Sequence, residues 1–493
     1  MRKGVVVLDG GSWMQLTPLY EARSVALVGA SRSEVSVSGA VMRNILEGGY
    51  KGEVYPVNPK ADRVMGLKAY PSVSKIPADV DMAVIMVPAQ RVPEVMEDCV
   101  DAGVRAGVLI SAGFSETRRE EGRKLGEDVL RAARRGRLRF TGGNCNGVCS
   151  VSTSLHALLS PVRPRLGDVA FVSQGGSLGV VTMGLTWKYG VGLSRYTNLG
   201  DEMDVKVHEV MEYYINDPRT RVVAAYLESV RDGRMLMETA RRGVLKKPIV
   251  VYKSGVTEAG RRAAEAHVGA LAGSDEVFNA VTKQTGMVRA RTVEQLMGIA
   301  AAFSTQPLPK GRKVGIVTVG GGWGVVVADA LGVGGGELVE LTEEEVEYLN
   351  RFLPPHWSRQ NPVDTTDGAF DPEVLVKCTE ILIRKEEVDG VIVVGVGIIE
   401  AFVNLMVKDE DLRELGVQSE VNIAERIVKL RDRYQKPVLA ATIYAERDSR
   451  VVEALKEMGM PVYESPHTVA SAFLAMAEYH DHVERIKRPY KPL

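Results

Sequence analysis

Ser173-Gln-Gly-Gly-Ser-Leu-Gly-Val-Val and, at an offset of 145 residues, Thr318-Val-Gly-Gly-Gly-Trp-Gly-Val-Val decide how this chain is read. Each follows an apolar, β-branched run (169–172 and 314–319) and leads into residues that favour a helix. A strand that turns on glycine into a helix leaves the first N–H groups of that helix unpaired at the positive end of its dipole, where an anion binds. Two such turns aligned without a gap point to a duplicated strand–turn–helix unit. A tight turn with no ligand is the plain alternative for either one alone. Neither matches GxxxxGK[ST], which argues against nucleotide binding by a P-loop.

Working outward, short apolar runs recur with room for one helix between them, the pattern of parallel sheets with right-handed crossovers. The first set is 24–28, 54–57, 82–87, 107–110 and 138–140, with helices expected at 92–102 and 118–134. The second is 169–172, 193–196, 222–227 and 249–252. The third is 314–319, 338–341, 391–394 and 438–442, with a crossover helix at 424–434. Residues 304–313, with two prolines and Lys-Gly-Arg-Lys, read as a linker. The expected fold is α/β: a Rossmann-like domain at 1–155 followed by two further parallel-sheet domains at 156–308 and 309–493.

Bulk properties narrow the function. A chain of 493 residues exceeds one hydrophobic core. Its 62 Lys and Arg nearly cancel its 63 Asp and Glu, so it lacks the basic field that nucleic acid requires. Four cysteines, at 99, 145, 149 and 378, form neither a disulfide framework nor a zinc pattern. No metal site is expected. The longest apolar run, 391–399, is too short to span a bilayer, and a reducing cytoplasm is the expected compartment.

The first strand feeds a glycine turn, Val25-Ala-Leu-Val-Gly-Ala-Ser-Arg. After the second strand comes Val57-Asn-Pro-Lys instead of the acidic residue that holds the ribose of NAD. Lys60 suits a phosphorylated ribose, which NADP and CoA share, so charge alone leaves both open. His267 lies among small residues in Arg261-Arg-Ala-Ala-Glu-Ala-His-Val-Gly-Ala-Leu-Ala-Gly-Ser-Asp. A neutral imidazole is a competent nucleophile when a carboxylate holds its other nitrogen. Glu228, at the carboxyl end of 222–227, is the nominated partner. Alone, such a histidine is more often structural.

Together these motifs resemble the α subunit of ADP-forming acetyl-CoA synthetases and, more distantly, the α subunit of succinyl-CoA ligase. The resemblance rests on Ser24-Val-Ala-Leu-Val-Gly-Ala-Ser, Tyr55-Pro-Val-Asn-Pro-Lys, Ile110-Ser-Ala-Gly-Phe, Gly143-Asn-Cys-Asn-Gly, Lys253-Ser-Gly, His267-Val-Gly-Ala-Leu-Ala-Gly-Ser-Asp and Asn361-Pro-Val-Asp, besides the two glycine turns. It implies that coenzyme A is bound by Gly29, Ala30, Ser31, Asn58, Lys60, Val87, Pro88, Ala112 and Gly113. It implies an acyl site beside Asn144 and Cys145, phosphorylation of His267 oriented by Glu228, and two phosphate cradles, at Gly175, Gly176, Ser177, Leu178 and Gly179 and at Gly321, Gly322, Trp323 and Gly324. It further implies that the first domain binds CoA and that the domains at 156–308 and 309–493 are flavodoxin-like ligase domains, and it implies an ATP-grasp β subunit that binds ADP or ATP with Mg2+, in an α2β2 complex. Three departures stand out. Ser33-Glu-Val-Ser-Val-Ser replaces a Pro-Gly-Lys-x-Gly turn, Gly143 and Asn146 replace a proline and a leucine, and Val268 replaces a threonine. The first of these motivates an alternative expectation, a non-catalytic CoA sensor on the same scaffold.

Overall fold

The computed structural model describes residues 12–268, 273–366, 371–442 and 449–487. The chain forms two compact units, one made of Met1–Gly184 with Gly192–Thr285 and the other of Leu185–Val191 with Gly286–Leu493.

The first unit holds two sheets. In the first, β1 (Ser24–Val28), β2 (Glu53–Val57), β3 (Met82–Ile85), β4 (Ala106–Leu109) and β5 (Arg139–Gly142) run in the order β2-β1-β3-β4-β5. All four pairings are parallel. Strands β1, β3 and β4 are buried throughout, as unbroken apolar runs covered on both faces must be. The covering helices include α1 (Val37–Glu47), α2 (Val92–Asp101) and α3 (Glu120–Gly136). Val92, Met96 and Cys99 of α2 and Val129, Ala132 and Ala133 of α3 share one core with Ala26, Val28, Ala83 and Ile85. The helix expected at 118–134 begins at Glu120 and stops where Arg137 turns left-handed, with φ of 56°.

The second sheet contains β6 (Gly147–Ser150), β7 (Leu155–Leu158), β8 (Leu166–Ser173), β9 (Leu193–Asn198), β10 (Val222–Leu227) and β11 (Ile249–Lys253). Its order within this unit is β11-β10-β8-β9-β6-β7. The four strands read from sequence form its parallel centre. Hairpin β6–β7 pairs antiparallel along β9, which the sequence reading did not anticipate. It blocks an edge that would otherwise offer unpaired backbone groups.

Arg195, on β9, is wholly buried. Its guanidinium pairs with Glu21 and, at 3.2 Å, with Asp217, and donates to Ser150 Oγ at 2.6 Å and Ser152 Oγ at 2.5 Å. One side chain thus ties the segment before β1, the β6–β7 hairpin and the turn before β10 to the centre of the sheet.

The second unit is built on β12 (Lys313–Thr318), β13 (Glu337–Leu338), β14 (Val363–Asp364), β15 (Gly390–Val396), β16 (Val438–Thr442) and β17 (Val462–Tyr463), in the order β13-β12-β15-β16-β17, with β14 also on β12. The crossover helix expected at 424–434 runs from Glu410 to Tyr434, capped by Asp409, whose Oδ1 accepts from Leu412 N–H at 3.0 Å. Its first turns carry exposed Leu412 and Leu415 among charged residues, which hides the helical period from a sequence reader.

Removing Arg195 should be costly, because it strands the buried Asp217 carboxylate. Arg195→Ala is expected to lose about 3–5 kcal/mol of stability, read as a fall in the chemical-denaturation midpoint.

Candidate active site

Strand β8 ends at Ser173, and after Gln174 and Gly175 the chain enters α4 (Gly176–Lys188). Ser173 Oγ donates to Gly175 O at 2.7 Å, which sets the turn. Two buried amides then fix its surroundings. Asn198, the last residue of β9, donates from Nδ2 to Ser173 O (2.9 Å) and Gln174 O (3.1 Å) and accepts from Asn146 N–H (2.7 Å). Gln174 accepts from Glu228 N–H (2.5 Å) and Ser229 N–H (3.0 Å) and donates to Ser229 O (2.9 Å). The carboxyl ends of three strands are thereby pinned together around the start of α4. Open α/β sheets hold ligands at this edge.

Glu228, at the end of β10, packs against the turn so closely that a Cβ on Gly175 would sit 2.6 Å from its Oε1. Tyr226 Oη donates to the same oxygen at 3.1 Å. A cavity of about 490 Å³ opens here, lined among others by Asn144, Cys145, Gly176, Ser177, Asp201 and Glu228. Among the described residues no lysine or arginine lines it, so the donors it offers an anion are neutral, the main-chain N–H groups at the start of α4 and side chains such as Ser177 and Asn144. Cys145 donates its thiol to Leu109 O at 3.3 Å, and burial pushes it up to about 12, which leaves a thiol with no nucleophilic character. Asp201 was not singled out from sequence. It lies three residues past the end of β9, at the carboxyl edge that also carries Glu228. Burial and the adjoining Glu116 carboxyl raise it to about 8.

In the second unit the corresponding turn follows β12. Helix α6 (Gly321–Val333) starts and ends 145 residues after α4, as the aligned motifs require. The lock recurs as well, with Thr318 Oγ1 donating to Gly320 O at 2.9 Å. Gly320 has φ of 109°, a conformation that calls for glycine, and its N–H donates to Asp364 Oδ1 at 3.1 Å. Gly321 and Gly322 are exposed, Trp323 is half-buried and Gly324 packs on Pro362.

The residues expected at coenzyme A gather at the carboxyl edge of the first sheet. Gly29 and Ala30 N–H both donate to Val57 O, at 3.0 and 3.3 Å, and Asn58 Nδ2 donates to Ala30 O at 2.7 Å. Gly29 has φ of 89°, and a Cβ there would meet Met86 O at 2.6 Å. Ser31 Oγ accepts from Ser33 N–H at 3.0 Å. Val87 O accepts from Ser111 Oγ at 2.6 Å, and Pro88 follows it in the chain. Ala112 and Lys60 are exposed, and Gly113 has φ of 121°. In the divergent segment 33–38, Ser36 caps α1 by accepting from Gly39 N–H at 3.1 Å, while Val35 is 96% exposed. His267 falls in the backbone of α5 (Glu258–Val268), but its side chain lies outside the described residues.

A CoA-binding domain model matches residues 23–150, and a succinyl-CoA ligase like flavodoxin domain model matches 166–303. The α subunit of ADP-forming acetate–CoA ligase II of Pyrococcus furiosus is 35% identical over 460 residues, covering 93% of this chain and 96% of that subunit. The chain belongs to the ADP-forming acetate–CoA ligase α-subunit family. An ADP-forming 4-hydroxybutyrate–CoA ligase of Nitrosopumilus maritimus is 30% identical over 95% of this chain and 65% of its own length. Among solved structures, acetyl-coenzyme A synthetase 1 of Ca. Korarchaeum cryptofilum, in complex with phosphate and ADP, superposes with a TM-score of 0.84 at 32% identity, covering 96% of this chain and 99% of that one. As a member of the ADP-forming acetate–CoA ligase α-subunit family the chain is part of an acid–thiol ligase. Its first sheet is the CoA-binding domain and its second the ligase-type flavodoxin domain. Among the described residues, no helix is long and apolar enough to cross a membrane, and no cluster of His, Cys, Asp and Glu could hold a metal ion.

Asn198→Ala should take a donor from Gln174 O and the acceptor from Asn146 N–H, leave Ser173 O with Leu199 N–H alone, and loosen the start of α4. The expected loss is about 1–3 kcal/mol in denaturation, together with weaker phosphate protection against unfolding.

Proposed function

We propose that the chain carries a phosphoryl group on His267 in the interconversion of acyl-CoA, phosphate and ADP with carboxylate, CoA and ATP. The observation that carries this is the cavity at the start of α4, which Gly176, Ser177, Leu178 and Glu228 line together. In the proposed sequence, coenzyme A lies along Gly29, Ala30, Ser31, Asn58, Lys60, Val87, Pro88, Ala112 and Gly113, with its thioester beside Asn144 and Cys145. Phosphate attacks the thioester carbonyl carbon, the C–S bond breaks and an acyl phosphate forms. One imidazole nitrogen of His267 then attacks phosphorus while Glu228 holds the N–H of the other, and the carboxylate leaves. The N–H groups of Gly176, Ser177 and Leu178 take up the charge on the phosphoryl oxygens, while Gly179 N–H closes the turn on Gly175 O at 3.1 Å.

Ser254 N–H donates to Leu227 O at 2.9 Å, so the chain that leads to His267 departs from beside Glu228. From Glu258 to His267 the helix rises about 14 Å, and in the proposed reaction the segment that carries the imidazole moves between its partners. The turn at Gly321, Gly322, Trp323 and Gly324 forms a second cradle for the phosphohistidine. An ATP-grasp β subunit binds ADP with Mg2+ and completes the transfer, in a cytoplasmic α2β2 complex.

The α–β complex incubated with ATP and Mg2+ should acquire an acid-labile phosphoryl group on His267. His267→Ala should abolish the label, and Glu228→Gln should slow its appearance by roughly 100-fold or more. A wild-type complex that never labels ends the proposal.

A further inference from the structure

Asp201 follows β9, is buried, and lines the same cavity as Asn144, Cys145 and Glu228. Its N–H donates to Gly143 O at 2.9 Å. Its Oδ2 is buried and meets no donor. The group beside its carboxyl is another carboxyl, that of Glu116, which itself accepts N–H from Gly113 at 2.5 Å and Phe114 at 2.9 Å. Burial and the neighbouring Glu116 carboxyl both favour the protonated form of Asp201. The other charged and titratable groups around Asp201 are Arg231, which opposes the effect of Glu116, Glu202 next to it in the chain, Glu228 on the same cavity wall, and the Cys145 thiol. Cys145 is held unreactive by burial, and Glu228 is engaged by Tyr226 at the turn. Asp201 is left as the group at this cavity whose surroundings hold a proton near neutral pH.

We propose that Asp201, buried on the cavity wall with its Oδ2 free of any donor, is the acid and base for the sulfur of coenzyme A. The inference rests on the reaction proposed above. In thioester cleavage, phosphate attacks the carbonyl carbon, the C–S bond breaks, its electron pair goes to sulfur, and Asp201 gives sulfur the proton. In thioester synthesis the S–H proton passes to Asp201 as sulfur attacks the acyl phosphate carbon. The C–O bond to phosphate then breaks, and the departing phosphate takes the proton back. No oxidant or further reactant is required.

The test is the half-reaction of acetyl phosphate with CoA, followed in both directions with the α–β complex. This step ends before phosphorus reaches histidine, so the His267 labelling experiment can fail without touching it. The synthesis rate of the wild type should rise with pH and level off above about 8, and the cleavage rate should fall through the same range. Asp201→Asn should slow synthesis at neutral pH by about 100-fold or more and leave a rate that keeps climbing until the CoA thiol itself ionises. Glu116→Gln should move the wild-type inflection to lower pH, a shift that a merely structural role does not produce. A wild-type profile retained in Asp201→Asn, an unmoved inflection in Glu116→Gln, or no half-reaction in the wild type overturns the proposal.

Discussion

Two buried primary amides, Asn198 and Gln174, hold the site together. Each spends its hydrogen bonds on main-chain groups of neighbouring strand ends, so the carboxyl edges of β8, β9 and β10 cannot shift independently. The cavity depends on this. A helix start attracts an anion only if its N–H groups stay fixed and free of other partners, and Glu228 acts on a nearby group only while the turn at Gly175 stays beside it. Neutral amides serve here without adding charge to the space in which the proposed reaction places phosphate.

The parallel strands were legible because burial on both faces leaves an unbroken apolar signature, as in β1 and β3. The two glycine turns were legible because the same backbone problem was met twice with the same residues. Ser173 and Thr318 turn out to serve as matching locks, each hydroxyl closing its own turn. The β6–β7 hairpin was not legible, since a four-residue strand rich in small and polar residues gives no period and owes its existence to the edge of β9. The role of Arg195 was equally hidden, because Glu21 and Asp217 lie far from it in sequence and meet it only in the folded unit.

The site followed the same division. Glu228 was found because its strand announces it. Asp201 was missed because its character comes from Glu116, a residue 85 positions earlier in the chain. Sequence supplies the carboxyl group, and only packing decides whether that group keeps its proton. The segment 33–38 shows the reverse case, in which a motif departs from the pattern of its relatives and local order survives through the Ser36 cap.

Peptide N–H groups do not ionise in the physiological range, so the cradle at α4 keeps one strength wherever the protein works. Acidity alters the carboxylates around these donors and leaves the donors themselves unchanged. In the proposed role, affinity there would fall by bending of the main chain or by competition from an oxyanion of similar size, such as sulfate.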